Sequence, residues 1–428
     1  MPAIVKVKRT EIILLLYGAA VVALGLWLVC ISQGDSPARV SRVLTVAGSF
    51  LVAALLLQLN GEDRDYLLLP AVALITGIGV VFLWRLDPDL ASRQIIWVLL
   101  GSSLMVLVYY LIDDVRDLAR YKYVAGSVAI ALMVAVMVWG QEKGGAQLWL
   151  GWEDFLSFQP GEFAKILMCI FLAGYAADKG DLLRSDADGE SADDGTFRHL
   201  GPALLMVIFS LAIFVFLRDL GAAILFFGLF VAVSYMVTGR MRYSAVMGLL
   251  FLAGAIAAYY LFPHVARRME AWLVPSNDPT GAGYQTLQIL YGLAAGGVSG
   301  LGLGNGLPGQ LPAAETDAIF AVVGEEIGLF GAVGVILLFV FVAFRTFAIG
   351  WQSRDVFGGI LAATLGTVFS LQALVIIGGL LRIIPLTGIT LPFVSYGGSS
   401  LVANFIALGL VLVVSRDCRP DIQYERRR

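Results

Sequence analysis

Long apolar runs separated by short polar stretches make up most of this chain. Near 11–32, 43–60, 67–85, 95–112, 123–140, 161–177, 200–217, 220–238, 244–262, 318–345, 356–378 and 391–414 the sequence stays predominantly apolar. Several of these runs reach about 20 residues, the length a helix needs to cross a ~30 Å hydrocarbon core. The pattern predicts twelve transmembrane helices. A further stretch, 284–303, reads YQTLQILYGLAAGGVSGLGL; its glycines, with Gln285 and Gln288, suit a re-entrant or interfacial segment better than a span. Two spans almost touch at 218–221.

Composition agrees with the pattern. Of 428 residues, 59% are hydrophobic and 14% charged, and the mean hydropathy is +0.85; a soluble domain carries roughly 25% charged residues. The expected class is an all-α polytopic membrane protein. Its three cysteines, Cys30, Cys169 and Cys418, show neither a disulfide framework nor metal-ligand spacing. The basic start, MPAIVKVKRT, precedes an apolar run too long for a signal-peptide core and without a small-residue cleavage site, so it reads as a retained first span.

The net charge of −3 says less than where the charges lie. Placing the N-terminus inside puts most Lys and Arg on the cytoplasmic side, among them Lys6, Lys8, Arg9, Arg116, Arg120, Lys122, Arg240, Arg242 and the tail Arg426, Arg427 and Arg428. That orientation, with both termini cytoplasmic, follows the positive-inside rule. The acidic segment 178–199 then becomes a flexible cytoplasmic loop. Three unusual segments face outward: 141–160, 263–317 and 379–390. The second runs for 55 residues without an apolar span, and loops that long often carry function.

Candidate chemistry gathers on that side. Arg267 and Arg268 lie just past a membrane boundary, where guanidinium groups clamp phosphate or anchor at the interface beside Trp272. The glycines of GLGLGNGLPG, 300–309, lack the Lys-Ser/Thr of a nucleotide loop and read as a connector. Within spans, ionisable groups are costly and mark function by default. Glu162 and Lys165 share a helix face at i,i+3 and can pair. Arg218 and Asp219 are a second charge pair, at a span boundary. After Arg382, the prolines of IIPLTGITLPFVSYGGSS interrupt the backbone, and irregular backbone at membrane depth is tolerated only inside protein or beside a water-filled cavity.

The stretch LPAAETDAIFAVVGEE, 311–326, holds four acids, Glu315 and Asp317 at the mouth of an apolar helix and Glu325 and Glu326 inside it. Asp317 is the best candidate for a reacting group, since a partly desolvated carboxylate there suits general-base work. Glu325 lies about 12 Å further along a helix, so the two cannot share one substrate atom. Helix packing is the favoured reading for Glu325 and Glu326.

FQPGEFAKI, RDLGAAIL, DPTGAGYQTLQ, GLGLGNG, LPAAETDAIFAVVGEEIG and LPFVSYGGSS occur here in the order found in the SEDS family of RodA, FtsW and SpoVE. The chain resembles that family over roughly 67–415, slightly more in its RodA branch. The resemblance implies a bundle of about ten transmembrane helices, 63–416, with a large extracytoplasmic loop at 263–317. Residues 1–62 are then an added transmembrane hairpin and 417–428 a cytoplasmic tail. It implies polymerisation of lipid II into glycan strands on the outer face of the cytoplasmic membrane, beside a class B penicillin-binding protein that cross-links the product. Membrane lipids are the other expected partners, and no nucleic acid is expected.

By the same resemblance, Asp317 is the catalytic acid. Gln159 and Glu162 fall on the family's Gln-Pro-Ser-Glu motif, Lys165 on its following lysine, Arg268 on the arginine preceding the loop's Asp-Pro. Trp149 ends a Gly-Ala-x-Arg-Trp segment over 145–149 in which Leu148 replaces the arginine. Ser395 and Ser399 belong to the SYGGSS block and are expected among the substrate-binding residues. Glu315 stands where the family has histidine; an added acid beside Asp317 would raise its pKa, or the pair would hold a divalent cation, which nothing in the sequence demands. The competing classes are a flippase of a lipid-linked precursor and a non-catalytic division or elongation scaffold.

Overall fold

The computed structural model describes residues 2–34, 41–59, 64–143, 146–152, 156–185 and 192–418. Gly145, positions 186–191 of the acidic segment, and the tail from 419 with its arginines lie outside the described residues. In chain order the helices are α1 (Pro2–Gln33), α2 (Ser41–Leu59), α3 (Leu68–Leu86), α4 (Pro88–Leu111), α5 (Arg116–Arg120) and α6 (Lys122–Trp139). Strands β1 (Gln141–Lys143), β2 (Ala146–Trp152) and β3 (Leu156–Phe158) follow. Then come α7 (Pro160–Ser185), α8 (Ala192–Phe216), α9 (Leu220–Thr238), α10 (Met241–Leu261), α11 (Pro263–Leu273), α12 (Tyr284–Gly296), α13 (Ile319–Gln352), α14 (Val356–Leu380) and α15 (Gly398–Arg416).

Among the described residues ten helices are long and apolar enough to cross a membrane, and two shorter apolar helices, Leu44–Leu59 and Leu204–Phe216, fall on other expected spans. The protein is therefore a mostly helical, multi-pass membrane protein, as the hydropathy pattern predicts. Boundaries are sharpest where the sequence supplies caps. Asp219 accepts the Ala222 amide at 2.9 Å to start α9, and Gly239, at φ +66°, ends it. Two expectations change. The last span begins at Gly398, not at 391; residues 391–397 form turns instead. The acidic segment is helical at both described ends, because α7 runs to Ser185 and α8 starts at Ala192; a helix needs no apolar side chains once it leaves lipid, and Lys122 pairs with Asp178 there. Residues 284–303, expected as a re-entrant or interfacial segment, hold one short helix, α12, followed by turns.

The chain divides into two compact units. The first holds Met1–Leu111, Arg267–Arg345 and Gln372–Gly409. In it, α1 packs on α3, where a side chain at Gly77 would collide with Val22 at 2.4 Å. A buried ion network lies at one end of these helices. Arg64 Nη2 donates to both oxygens of Glu11 at 2.9 Å, Gln58 adds a bond to Glu11, and Asp65, which pairs with Arg345, accepts the Leu67 and Leu68 amides at 3.0 and 2.8 Å. Glu11 is only 2% exposed, and a charge so buried persists only when paired.

The second unit holds Ile112–Ala266, Thr346–Leu371 and Leu410–Arg428. Here α6 packs on α7, α7 on α9 and α9 on α10. The 141–160 segment forms a small antiparallel sheet, ordered β1-β2-β3. Gln147 Nε2 closes its base on the Gly140 carbonyl at 2.8 Å.

Candidate active site at the mouth of α13

Asp317 sits in the turns just before α13, in the first unit. Ala313 takes φ +53°, and its carbonyl accepts the Thr316 and Ala318 amides at 3.2 and 3.0 Å. The two carbonyls preceding Asp317 are taken by the segment before α15. Tyr396 N–H donates to Glu315 O at 2.8 Å, and Ser395 Oγ donates to Thr316 O at 2.6 Å. Ser395 Oγ also accepts the Leu391 amide at 2.9 Å, while Gln94 Nε2 donates to the Ser395 carbonyl at 3.0 Å. Gly79 of α3 makes room for this segment: a Cβ there would stand 2.6 Å from Val394 O.

Two further elements reach the mouth. Gly388 takes φ +73°, and a Cβ built on it would lie 3.5 Å from Asp317 Oδ2. The preceding carbonyl, Thr387 O, accepts Arg268 Nη1 at 3.2 Å. Arg268 and Asp317 thus approach neighbouring atoms of one peptide unit, Thr387–Gly388. Arg268, the arginine that the family resemblance singles out, is half-buried, and Arg267 is exposed.

Backbone strain is concentrated here. Among the described residues four non-glycine positions take positive φ: Arg218, Ala313, Arg382 and Phe393. The last three lie in the two segments that form the mouth. Such conformations cost about 1–3 kcal/mol each and persist where surrounding structure over-determines them, typically at functional sites. Thr387, Gly388 and Gln94 were not singled out by sequence; the Pro-Leu-Thr-Gly turn at 385–388 is the one available signal.

The acids further along α13 behave differently. Gly328, at φ +65° and ψ −167°, breaks the helix. Leu301 and Gly302 amides donate to the carbonyls of Glu325 and Glu326 at 3.0 and 2.9 Å, and the Leu329 amide donates to Gly297 O at 3.0 Å. Glu326 accepts Arg85 Nε and the Gly304 amide, both at 2.9 Å, and Glu325 accepts the Leu307 amide at 2.8 Å. Arg85 Nη2 completes the clamp on Gly306 O at 2.9 Å. The glycine-rich 300–306 segment is therefore a strap gripped by two carboxylates.

Residues 66–419 match the cell cycle protein family of FtsW, RodA and SpoVE. The chain belongs to this family. It is 37% identical to the peptidoglycan glycosyltransferase RodA of Mycobacterium tuberculosis, over 97% of this chain and 92% of that protein. It superposes on a chain from a peptidoglycan synthase complex, in a study of how polymerization and crosslinking are coordinated, with a TM-score of 0.68 and 30% identity over 84% of this chain and 99% of that one. The rod shape determining protein RodA of Thermus thermophilus gives a TM-score of 0.61 and 27% identity, with the same coverage of both chains. Like its named relatives, this chain is a membrane glycosyltransferase.

The other residues that the family resemblance singles out fall as follows. In the second unit, at the start of α7, Lys165 Nζ donates to Glu162 Oε2 at 2.7 Å, with side chains 5% and 12% exposed. Gln159 immediately precedes this helix, and its carbonyl accepts the Glu162 amide at 3.2 Å. Trp149 lies on β2, opposite Gln141 of β1. In the first unit, Ser395 is occupied with backbone partners, and Ser399 is buried in the first turn of α15 beside Ser400, whose Oγ bonds Thr390 Oγ1 at 2.7 Å. Glu315, two residues before Asp317, is half-buried. Among the described residues no group of three His, Cys, Asp or Glu side chains is placed to hold a metal ion.

Proposed function

We propose that this glycosyltransferase polymerises lipid II into glycan strands on the outer face of the cytoplasmic membrane, with Asp317 as general base. The hydroxyl of an acceptor sugar attacks the anomeric carbon of a lipid-linked donor; the new C–O bond forms as the bond to undecaprenyl pyrophosphate breaks. Asp317 takes the hydroxyl proton, and the pyrophosphate leaves with the electron pair. A direct displacement inverts the anomeric centre. Both termini lie in the cytoplasm, so that the mouth of α13 faces outward.

The observation that carries this reading is the convergence on Asp317. A half-buried carboxylate, held by strained backbone, lies beside a glycine whose neighbouring carbonyl engages Arg268. Preorganised charge of this kind is how enzymes stabilise developing charge without reorganisation. Arg268 stabilises the departing pyrophosphate, and Lys165, held by Glu162, is assigned the same task; Gln159 and Trp149 contribute to substrate binding. Ser395 acts through the Thr316 carbonyl, and Ser399 through the packing of the α15 turn. A divalent cation sharing the phosphate charge is compatible with Glu315 beside Asp317. The similar chain from a peptidoglycan synthase complex that coordinates polymerization and crosslinking supports a class B penicillin-binding protein as partner. Residues 1–62 form an accessory hairpin, fastened through Glu11 and Arg64, that precedes the family match.

The test uses purified chain with its penicillin-binding protein and lipid II in detergent micelles, where no bilayer remains to be crossed. Glycan polymer formed by the wild type and lost in Asp317→Asn supports the reading. Absence of polymer from a folded wild-type complex favours a flippase, and a normal Asp317→Asn phenotype in cells favours a scaffold.

A further inference from the structure

Arg382 follows the end of α14 and takes φ +59°, a left-handed conformation that a residue with a side chain adopts only at a cost. Its guanidinium turns onto the end of α11. Nε donates to Trp272 O at 2.7 Å and Nη2 to Leu273 O at 2.6 Å, while Trp272 Nε1 donates back to Arg382 O at 3.1 Å. The last carbonyls of a helix have no partner within it, and a cation there is favoured by the helix dipole. Arg382 supplies both the donors and the charge. About one turn upstream, Arg268 donates to Thr387 O. Residues 267–273 are thus sewn to 382–387 at two points.

The segment between those ties is not relaxed. Thr387 Oγ1 is buried without a hydrogen-bond partner among the described residues. An unpaired buried hydroxyl and a left-handed arginine are both unfavourable. They persist together because the bonds to α11 hold the segment in place.

We infer that Arg382 is a positioning residue for the transfer: it staples α11 to the 382–388 segment and so holds Arg268 and the Thr387–Gly388 peptide against Asp317. Arg382 does not touch substrate. The inference rests on the roles given above to Asp317 and Arg268.

The experiment compares wild type, Arg382→Ala and Arg382→Lys in the full-length chain, with the penicillin-binding protein and lipid II. Because misplacement of a positioned group lowers rate more than binding, Arg382→Ala is expected to lose roughly tenfold in kcat with a smaller change in KM. Arg382→Ala removes two hydrogen bonds made by an exposed side chain, so the variant is expected to fold with a modestly lowered melting temperature. Trypsin cleavage after Arg267 and Arg268 speeds up roughly tenfold as the staple opens. Arg382→Lys, which retains the charge but not the two-pronged donor, falls in between. Should Arg382→Ala misfold, Trp272→Phe, which removes only the returning bond, is expected to show the same faster cleavage. Wild-type turnover with unchanged cleavage in Arg382→Ala overturns the inference. If Asp317→Asn is inactive in that same series, only the staple has failed; if Asp317→Asn is active, the reading of the site has failed, while faster cleavage in Arg382→Ala still upholds the staple.

Discussion

At the mouth of α13, Asp317 is half-buried beside Gly388, with a carbonyl-bound arginine one peptide away. Further into the same helix, Glu325 and Glu326 are 4% and 0% exposed and grip backbone amides of the 300–307 strap, with Arg85 against Glu326. Both regions put carboxylates into an apolar setting, but in the second Glu326 meets Arg85 and the Gly304 amide, and Glu325 meets the Leu307 amide, so both hold the strap. A carboxylate committed to amides and a cation is a fastening. One placed at a half-buried, strained turn near a second charged group is the one to which the proposal assigns the reaction. The distinction teaches that acids in a membrane helix are sorted by what else reaches them, not by their depth alone.

The sharpest way to break this comparison is to neutralise each acid in turn. Asp317→Asn keeps size and removes basicity, so lipid II polymerisation is expected to fall at least about 100-fold, the usual contribution of general-base catalysis. Its thermal stability should stay near wild type, which fluorescence-detected melting in detergent checks. Glu326→Ala is expected to do the reverse. It strands Arg85 and the Gly304 amide, and breaking a buried pair costs about 3 kcal/mol or more. Turnover per folded molecule should remain close to normal. If Glu326→Ala is stable but inactive, the assignment of the two regions is inverted.

Smaller effects sharpen the comparison. Glu325→Ala leaves the Leu307 amide without its acceptor and should cost about 1–2 kcal/mol, read from denaturation midpoints. Ser395→Ala removes the bonds to Thr316 O and from the Leu391 amide. Its stability cost should be about 1 kcal/mol, with a drop of a few-fold in turnover because the turn carrying Asp317 loosens. Activity unchanged to within error in Ser395→Ala would show that the α15 turn does not position the acid.

Much of the fold was legible because apolar length and capping residues are local signals. Asp219 and Gly239 mark the ends of α9 where the hydropathy places them. Residues 391–397 were misread because Leu391, Phe393 and Val394 are as apolar as a span yet fold into a buried turn; hydropathy cannot separate burial in protein from burial in lipid. The strands at 141–158 were missed for a related reason, since segments this short leave little periodicity. At the site, the candidacy of Asp317 and the fastening role of Glu325 and Glu326 could be argued from position along one helix. The contacts of Thr387, Gly388 and Gln94 could not, because each joins segments far apart in the chain and depends on backbone geometry that no residue pattern encodes.

The central claim is that Asp317 removes the acceptor proton. Single-turnover polymerisation of lipid II, followed across pH for wild type and Asp317→Asn, tests it most directly. The account predicts a wild-type rate that falls as pH is lowered through one protonation, and a rate at least about 100-fold lower without that acid limb in Asp317→Asn. An Asp317→Asn variant that keeps both the wild-type rate and its acid limb contradicts it.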